Sequence, residues 1–365
     1  MEKTARFLLM ISLVSALSGL ALIYSATRYD PSLHGMVYKQ GAALLLGLLL
    51  CPALTLLDLR ALLRRFWQLL LLGNVGLLLL LIPLGNDDGT GNRSWIALPG
   101  GVFNFQPAEL VKLGFLLLLA LQLDRRRKRG INRPCSVFLL TLHGLGMAGL
   151  LYGVSGDMGM TAVLLALWLV MLWSGGLRPL WLLAVILAGA GGAAVLWPNL
   201  PDYVRLRFLV VFDHELDPLG KGFQQGRSLL ALGSGRLAGQ GWLRGIQTQS
   251  ASASSLPARH TDFIFSAAGE ELGLIGCLLI LALLTAVVLG CIRLAGQARD
   301  PLFRDVALGS AGIFGIQTVL NVGMCLYAAP VVGVTLPFFS YGGSSLVSSF
   351  LTVGVLRALA GRRAE

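Results

Sequence analysis

Ten stretches of about 20 mostly apolar residues recur along the chain, and they constrain its fold more than any other feature. They are centred near residues 16, 46, 74, 115, 144, 166, 188, 279, 315 and 349. Roughly 20 apolar residues form a helix that is long enough to cross a bilayer. Only 13% of the side chains are charged, against about 25% in an ordinary soluble domain. We therefore predict an all-α, polytopic membrane protein of about ten transmembrane helices, with residues 1–365 forming one membrane domain.

Lysine and arginine are distributed unevenly between the two sides of this arrangement. If the N-terminus is cytoplasmic, 18 of the 29 cations fall on its side, including the run 125–129. The short loops of the other side and their edges carry Arg28, Lys39, Arg93 and Lys112, and seven more cations lie in one long loop. Since positive residues collect in cytoplasmic loops, both termini are predicted to be cytoplasmic. An acidic-lipid site is the alternative interpretation of the run 125–129.

The long loop spans residues 198–260, between the predicted helices seven and eight, on the outer face. Its glycines alternate with apolar pairs, a pattern that favours short helices lying in the membrane interface. A serine-rich tip covers residues 250–255. No phosphate-binding glycine loop and no CxxC pair occurs in the sequence. A nucleotide site is therefore not predicted, and we expect no nucleic acid partner.

Few acidic residues lie within or beside the apolar stretches, and ionisable groups at that depth are functional candidates by default. Glu109 and Lys112 are three residues apart on one helix face, so we predict an ion pair that faces a cavity or the bundle interior. Asp157 follows Ser155 and Gly156 between two apolar stretches, where it could instead cap the next helix. The candidates are Glu109, Asp157, Asp262, Glu270 and Glu271.

Asp262 lies where the long loop meets the eighth stretch, between Thr261 and Phe263. A carboxylate that faces water beside aromatic walls can acquire the pKa of a general base. The competing interpretation is an N-cap for helix eight. His260 could be a proton shuttle or simply an interfacial polar group, and Glu270 could share a face with Asp262 or pack against a neighbouring helix.

The connection between the ninth and tenth stretches, residues 329–345, combines helix breakers with hydroxyl groups. Non-helical backbone at membrane depth is tolerated only where it lines a cavity or is buried in protein. We therefore predict a cavity on the outer side that this connection floors and Asp262 flanks.

Six stretches in the same order resemble the SEDS family (shape, elongation, division and sporulation) of polytopic peptidoglycan glycosyltransferases. They are Ser94-Trp95-Ile96 with 105–112, Gly156-Asp157-Met158-Gly159, Asp217-Pro218-Leu219-Gly220 with 231–235, 260–265, Gly269-Glu270-Glu271-Leu272-Gly273, and 337–345. The stretches 217–220, 239–242 and 256–260 are more similar to members that act in rod-shape elongation than to division or sporulation members.

The resemblance implies that lipid II is polymerised on the outer face of the bacterial cytoplasmic membrane, with inversion at the anomeric carbon and release of undecaprenyl pyrophosphate. Asp262 matches the family's catalytic aspartate and would act as general base. Lys112, Arg205, Arg207 or a divalent cation could neutralise the leaving pyrophosphate.

The resemblance also implies supporting residues and partners. The substrate-binding or supporting positions would be Glu109, Lys112, Arg93, Gln106, Asp157, His260, Glu270, Ser340 and Ser344. A class B penicillin-binding protein, which is a transpeptidase, would be the protein partner, with lipid II and membrane lipids as the other partners.

Two other classes of function fit the same features. Broken helices with buried charges are also typical of a transporter, here a lipid II flippase. A scaffold without enzymatic activity that recruits the transpeptidase is the third possibility.

Overall fold

A computed structural model describes residues 1–86, 92–97, 104–200, 202–213, 216–217, 220–252 and 255–361. Its helices are α1 (Glu2–Thr27), α2 (Gly35–Ala53), α3 (Leu59–Leu79), α4 (Leu81–Leu84), α5 (Pro107–Arg129), α6 (Pro134–Ser155), α7 (Met158–Gly175), α8 (Pro179–Leu196), α9 (Asp202–Leu209), α10 (Lys221–Ser234), α11 (Ile264–Gln297), α12 (Pro301–Cys325) and α13 (Gly343–Gly361). Short 3₁₀ turns cover Pro31–Leu33, Leu54–Leu56 and Trp197–Asn199.

The predicted bundle of about ten membrane helices is confirmed. Each of the ten apolar centres falls inside a helix of at least 18 residues. Nine of these helices, counted over the described ranges, are long and apolar enough to cross a membrane. The tenth, α5, has 23 residues but carries Glu109 and Lys112 near its start and a basic run in its last turn.

The all-α prediction omitted one small element. Three short strands, β1 (Gly85–Asn86), β2 (Trp95–Ala97) and β3 (Asn104–Phe105), form an antiparallel sheet in that order. The register pairs Gly85 with Ile96 and Ile96 with Phe105. This sheet leads the chain into α5, whose first residue is a proline, a residue well suited to the first helical turn.

The last helix, α13, lies at the centre of the bundle. It packs against α2, α1, α5, α12 and α3. Nearly all of its residues are buried, and Phe350 and Leu356 are fully enclosed. In contrast, α8 packs mainly on α7 and buries one of its residues, Leu182. The central helix α13 is therefore buried far more deeply than the peripheral helix α8.

Contacts at the chain ends show which helix termini share one end of the bundle. Thr4 bonds Gln297 at the end of α11. Arg60, at the start of α3, donates to the Leu359 carbonyl in α13 and pairs with Asp300 at 3.1 Å. The start of α1 and the end of α13 therefore lie at the same end of the bundle.

The opposite end of α11 contains a break in the helix. Gly273 has φ 68° and ψ −163°, which interrupts the helical hydrogen bonds. The backbone of residues 236–241 bonds the polar groups on both sides of the break; for example, Gln240 N donates to Glu270 O at 2.9 Å and Leu274 N donates to Arg236 O at 2.9 Å. A Cβ at Gly273 would lie 2.4 Å from Gly239 N. Residues 236–241 of the long loop thus replace the helical hydrogen bonds that are missing at the break in α11.

The long loop contains two helices, α9 and α10, of which α10 lies in the glycine-rich stretch 220–245 whose pattern favoured short helices. Gln225 of α10 is buried and donates to the carbonyls of Met324 and Ala329, both at 2.9 Å. These bonds tie the loop to the end of α12. Within the stretches quoted above, Pro218, Leu219 and the tip residues 253 and 254 lie outside the described residues.

Candidate active site

A cavity of about 320 Å³ lies where β2, β3, the start of α7, the residues before α11 and the connection between α12 and α13 meet. We call that connection, residues 326–342, the floor segment. The sequence predicted a cavity lined by this connection and by Asp262, and the structure confirms it. The polar side chains that line the cavity are Lys39, Asn92, Ser94, Asn104, Gln106, Glu109, Asp157, Arg207, Thr261, Asp262, Thr335 and Tyr341.

Asp262 lines this cavity but is not the N-cap of the helix that follows. The N-cap position of α11 is Phe263, which makes no side-chain capping bond. The N-cap interpretation of Asp262 was therefore wrong, because α11 begins one residue later than it requires. Beneath the carboxylate lies Gly333, with φ 69°; a Cβ there would be 3.7 Å from Asp262 Oδ2.

The predicted pair of Glu109 and Lys112 is confirmed. Lys112 Nζ donates to Glu109 Oε2 at 2.6 Å, and each side chain is only 1% exposed. Lys112 also donates to Gln317 Oε1 on α12 at 3.1 Å. Glu109 lines the cavity, whereas Lys112 does not. The ammonium group is therefore committed to its buried partners and is a poor candidate for binding the leaving group.

Gln106 and Asp157 line one wall of the cavity, and Ser344 supports that wall from behind through a hydrogen bond to Gln106. Asp157 caps α7, as one interpretation of the sequence predicted, because its Oδ1 accepts from Met160 N at 2.9 Å. Its Oδ2 accepts from Gln106 Nε2 at 3.1 Å, and Gln106 N donates to Ser344 Oγ at 3.0 Å. Burial raises the pKa of Asp157, and the charge of Glu109 adds to that effect. These residues shape the wall.

Two cations, Lys39 and Arg207, line the cavity. Arg207 was a candidate from the sequence, whereas Lys39 was interpreted only as part of the charge distribution. Lys39 was missed because it lies about 220 residues from Asp262 along the chain and no pattern links the two. Arg205, the other candidate, pairs with Asp202 on the same face of α9 and is not a lining residue.

Besides Lys112 and Ser344, four of the predicted supporting residues lie outside the cavity lining, namely Arg93, His260, Glu270 and Ser340. Arg93 N donates to Ser155 O at 2.9 Å, which holds the sheet against the end of α6. Glu270 accepts from the backbone N of Gln247 and Thr248, both at 2.7 Å, so it anchors the long loop. Glu270 therefore does not share the site of Asp262, because it faces the loop.

The other two are Ser340, which bonds the residue before Asp262, and His260, which lies two residues before Asp262 in the chain. Ser340 Oγ donates to Thr261 O at 2.7 Å and accepts from Leu336 N at 2.8 Å. The His260 ring lies edge-on to Tyr341, with the ring centroids 6.0 Å apart. Burial, with the neighbouring charge of Arg259, lowers the pKa of His260 to about 4. A proton shuttle works best with a pKa near the working pH, so the shuttle interpretation is not supported.

Sequence reasoning also missed Gln40, a buried residue of α2. Its Nε2 donates to Ser340 O, and its Oε1 accepts from Gly342 N, both at 3.1 Å. The side-chain amide of Gln40 therefore bonds a carbonyl and an N–H group of the floor segment, as the backbone of a neighbouring β-strand would. A polar residue in an apolar stretch was the available signal, but it does not identify the partner.

The described residues contain no group of three His, Cys, Asp or Glu side chains that could hold a metal ion. Glu109 and Asp157 already have protein partners, namely Lys112, Gln106 and the start of α7. This donor set does not fit a dedicated carboxylate cage for a divalent cation.

A family model described as cell cycle protein, which unites FtsW, RodA and SpoVE, matches residues 3–365. The chain belongs to this family. The chain is 34% identical over 361 residues to a probable peptidoglycan glycosyltransferase FtsW of Geobacter sulfurreducens. The aligned region covers 97% of this chain and 94% of that protein. The chain is 33% identical over 362 residues to the peptidoglycan glycosyltransferase MrdB of Escherichia coli K12, covering 96% and 92%.

Solved structures agree with the family assignment. A structure described as a peptidoglycan synthase complex that coordinates polymerization and crosslinking is 32% identical, with a TM-score of 0.79, covering 97% of this chain and 96% of that one. The rod shape determining protein RodA of Thermus thermophilus is 30% identical, with a TM-score of 0.70, covering 98% and 97%. The predictions of the SEDS family and of a peptidoglycan glycosyltransferase are thus confirmed, and the transporter and scaffold alternatives lose their support.

The low pKa of His260 predicts how stability depends on pH. In the folded protein the imidazole is neutral down to about pH 4, whereas in the unfolded chain it binds a proton below about 6.5. The free energy of unfolding should therefore fall as pH drops from 6.5 to 4, by up to about 3 kcal/mol from this group.

Replacing His260 with Phe keeps an aromatic ring beside Tyr341 but removes the titration. Thermal unfolding in detergent between pH 7.5 and 4.5 should give a shallower loss of Tm for His260→Phe than for the wild type. Parallel curves for the two proteins would contradict the prediction.

Proposed function

We propose that this family member polymerises lipid II in the cavity, with Asp262 as general base. The observation that carries the proposal is that Asp262 shares one cavity with Lys39 and Arg207. A carboxylate and two cations in one cavity suit a reaction that removes a proton and releases an anion.

In the proposed reaction, the acceptor sugar hydroxyl gives its proton to Asp262 while its oxygen attacks the anomeric carbon of the donor. The bond from that carbon to the pyrophosphate oxygen breaks, and the electron pair leaves with undecaprenyl pyrophosphate. A single displacement inverts the anomeric carbon. Glycoside hydrolases need a second carboxylic acid to protonate the leaving oxygen, whereas pyrophosphate needs neighbouring positive charge instead.

Lys39 and Arg207 are proposed to supply that charge. Both are half-buried in the cavity wall, and charges on a partly dehydrated wall act more strongly than charges in water. A divalent cation would have to take most of its ligands from the substrate phosphates, because the described residues do not form a cage. We therefore derive no step through a metal ion.

The cavity is proposed to open on the outer face of the cytoplasmic membrane. Glu109 near the start of α5 lines the cavity, and the basic run 125–129 ends the same helix. A helix of 23 residues is about 34 Å long, so the run is a membrane thickness away from the cavity. Positive residues favour the cytoplasmic side, which supports an outward-facing cavity.

A transpeptidase of the class B penicillin-binding proteins is the proposed partner. Support comes from the similar structure described as a complex that coordinates polymerization and crosslinking. This chain would supply the polymerisation half of such a complex.

We further propose that the protein acts in rod-shape elongation. The stretches 217–220, 239–242 and 256–260 favour that role, whereas identities of 34% to an FtsW and 33% to MrdB do not discriminate. Depletion in the source bacterium should give rounded cells. Filamentous cells with undivided septa would instead assign it to division.

Replacing Asp262 with Asn should remove the general base while preserving size and hydrogen-bonding capacity. We expect polymerisation of labelled lipid II by the purified protein with its transpeptidase to fall by about 10²- to 10⁴-fold, the usual contribution of general base catalysis. Gel analysis of the glycan products measures this.

The matched control is Asp202→Asn, which neutralises an exposed carboxylate on α9 outside the cavity lining. It should polymerise like the wild type. Full activity of Asp262→Asn would refute the assignment of the base, and rod-shaped cells complemented by an inactive Asp262→Asn protein would favour a scaffold.

Replacing Lys39 or Arg207 with Ala should weaken the stabilisation of the leaving pyrophosphate. We expect kcat/KM for lipid II to fall by about 10²- to 10³-fold for each variant, the loss typical when one donor to a developing anion is removed. Arg205→Ala removes a cation from the same helix as Arg207, outside the cavity lining, and should have little effect. Equal losses in Arg205→Ala and Arg207→Ala would contradict a specific role.

A further inference from the structure

Three consecutive backbone carbonyls that lead to the proposed base each accept a hydrogen bond from a distant segment. Tyr341 N donates to His260 O at 2.8 Å. Ser340 Oγ donates to Thr261 O at 2.7 Å. Asn321 Nδ2 donates to Asp262 O at 2.8 Å. The first two donors belong to the floor segment, and the third lies on α12. The chain before α11 therefore has its peptide planes fixed from outside.

Asn321 differs from the other two donors because it also holds the cavity floor. Its Nδ2 donates to Val334 O, again at 2.8 Å. Val334 follows Gly333, the residue beneath Asp262 Oδ2. One side-chain amide thus joins the peptide that carries the carboxylate to the peptide beside its floor.

The environment of Asn321 indicates a specific purpose rather than general polarity. The residue is fully buried, and its Oδ1 has no hydrogen-bond partner. A buried unpaired acceptor costs about 1–3 kcal/mol. Turning the amide over would not help, because Oδ1 would then face two carbonyl oxygens. The site therefore retains an amide that is only half satisfied, because an apolar side chain would leave both carbonyls without this donor.

We propose that Asn321 is a positioning residue for Asp262, an inference that rests on the proposed function. Asn321 Nδ2 bonds both the Asp262 carbonyl and the Val334 carbonyl. These two bonds fix the carboxylate of Asp262 next to Gly333, within reach of the acceptor hydroxyl. Asn321 touches no substrate. It acts by preventing the loop before α11 from rotating the carboxylate away from the cavity.

The first test is a separation of kcat from KM in Asn321→Ala. Displacing a reacting group by about 1 Å can cost about 10²-fold in rate, so we expect kcat for lipid II polymerisation to fall by about 10- to 100-fold. Since Asn321 is not a lining residue of the cavity, KM should stay within about threefold of the wild type.

Ser310→Ala is the matched control, because Ser310 is also a fully buried polar residue of α12, and its Oγ bonds Val306 O within the same helix. This variant should keep its kcat, whatever it loses in Tm. If Asn321→Ala loses Tm but keeps kcat, Asn321 is a packing residue and the proposal is wrong.

A second variant guards against misfolding of Asn321→Ala. Asn321→Asp has the same shape and can donate to at most one of the two carbonyls, so it should also lower kcat with little change in KM. A folded Asn321→Asp protein with wild-type kcat would overturn the proposal.

Each Asn321 variant can also be combined with Asp262→Glu, and kcat of the double variant compared with that of the two single variants. A purely structural role of Asn321 would not make its effect on kcat depend on residue 262. Residues that act as a unit lose activity non-additively. The Asn321 change should therefore cost much less in kcat in the Asp262→Glu protein than in the wild type. Equal proportional losses in both would contradict positioning.

The outcome separates this inference from the proposed function. If the wild type polymerises lipid II and Asp262→Asn does not, the function holds whatever Asn321 does. If the wild type with its transpeptidase makes no glycan, the function itself fails.

Discussion

The structure depends on satisfying backbone polar groups that leave helical geometry inside an apolar bundle. Lipid offers no hydrogen bonds, so each such group needs a partner from the protein. Two segments create this demand, the break in α11 at Gly273 and the floor segment between α12 and α13. The backbone of residues 236–241 bonds the groups at the break, and side chains of α2 and α12 bond those of the floor. The floor segment lines the cavity, so the bonds from α2 and α12 help to maintain the cavity's shape.

Charge is confined to a few buried positions, and most of it is neutralised within the protein. Glu109 has Lys112, and Asp157 is a helix cap whose pKa is raised by burial. At the far end of the bundle, Arg127 binds Asp305 through two bonds of 2.6 and 2.7 Å. Isolated charges in a low-dielectric interior are very costly. Asp262, Lys39 and Arg207, the charges that the proposed reaction uses, line one cavity.

The sequence predicted the helices, the Glu109–Lys112 pair, the Asp157 cap and the cavity, since each follows from local spacing or from helix breakers at membrane depth. It did not predict that Lys39 joins Asp262 or that Gln40 and Asn321 hold the floor segment. Those contacts join helices far apart in sequence, and the apolar stretches show no periodicity that would reveal which face meets which neighbour. The N-cap interpretation of Asp262 failed for a similar reason. Helix boundaries are the least certain part of a sequence-based prediction, and here one residue separates a cap from a cavity side chain.

Neutral amides make several of the contacts that hold the backbone around the site, and this choice has a chemical consequence. Gln40 and Asn321 bond the floor segment, Gln106 bonds Asp157, and Gln225 bonds the end of α12. An amide offers donors and an acceptor without a net charge, so it can fix a backbone without altering the local electrostatic potential. A lysine or a carboxylate in the same positions would compete with the substrate for the cavity charges. Because these supporting side chains are uncharged amides, they do not disturb the electrostatic field that Asp262, Lys39 and Arg207 create in the cavity. Those three are the groups whose charges the proposed reaction uses.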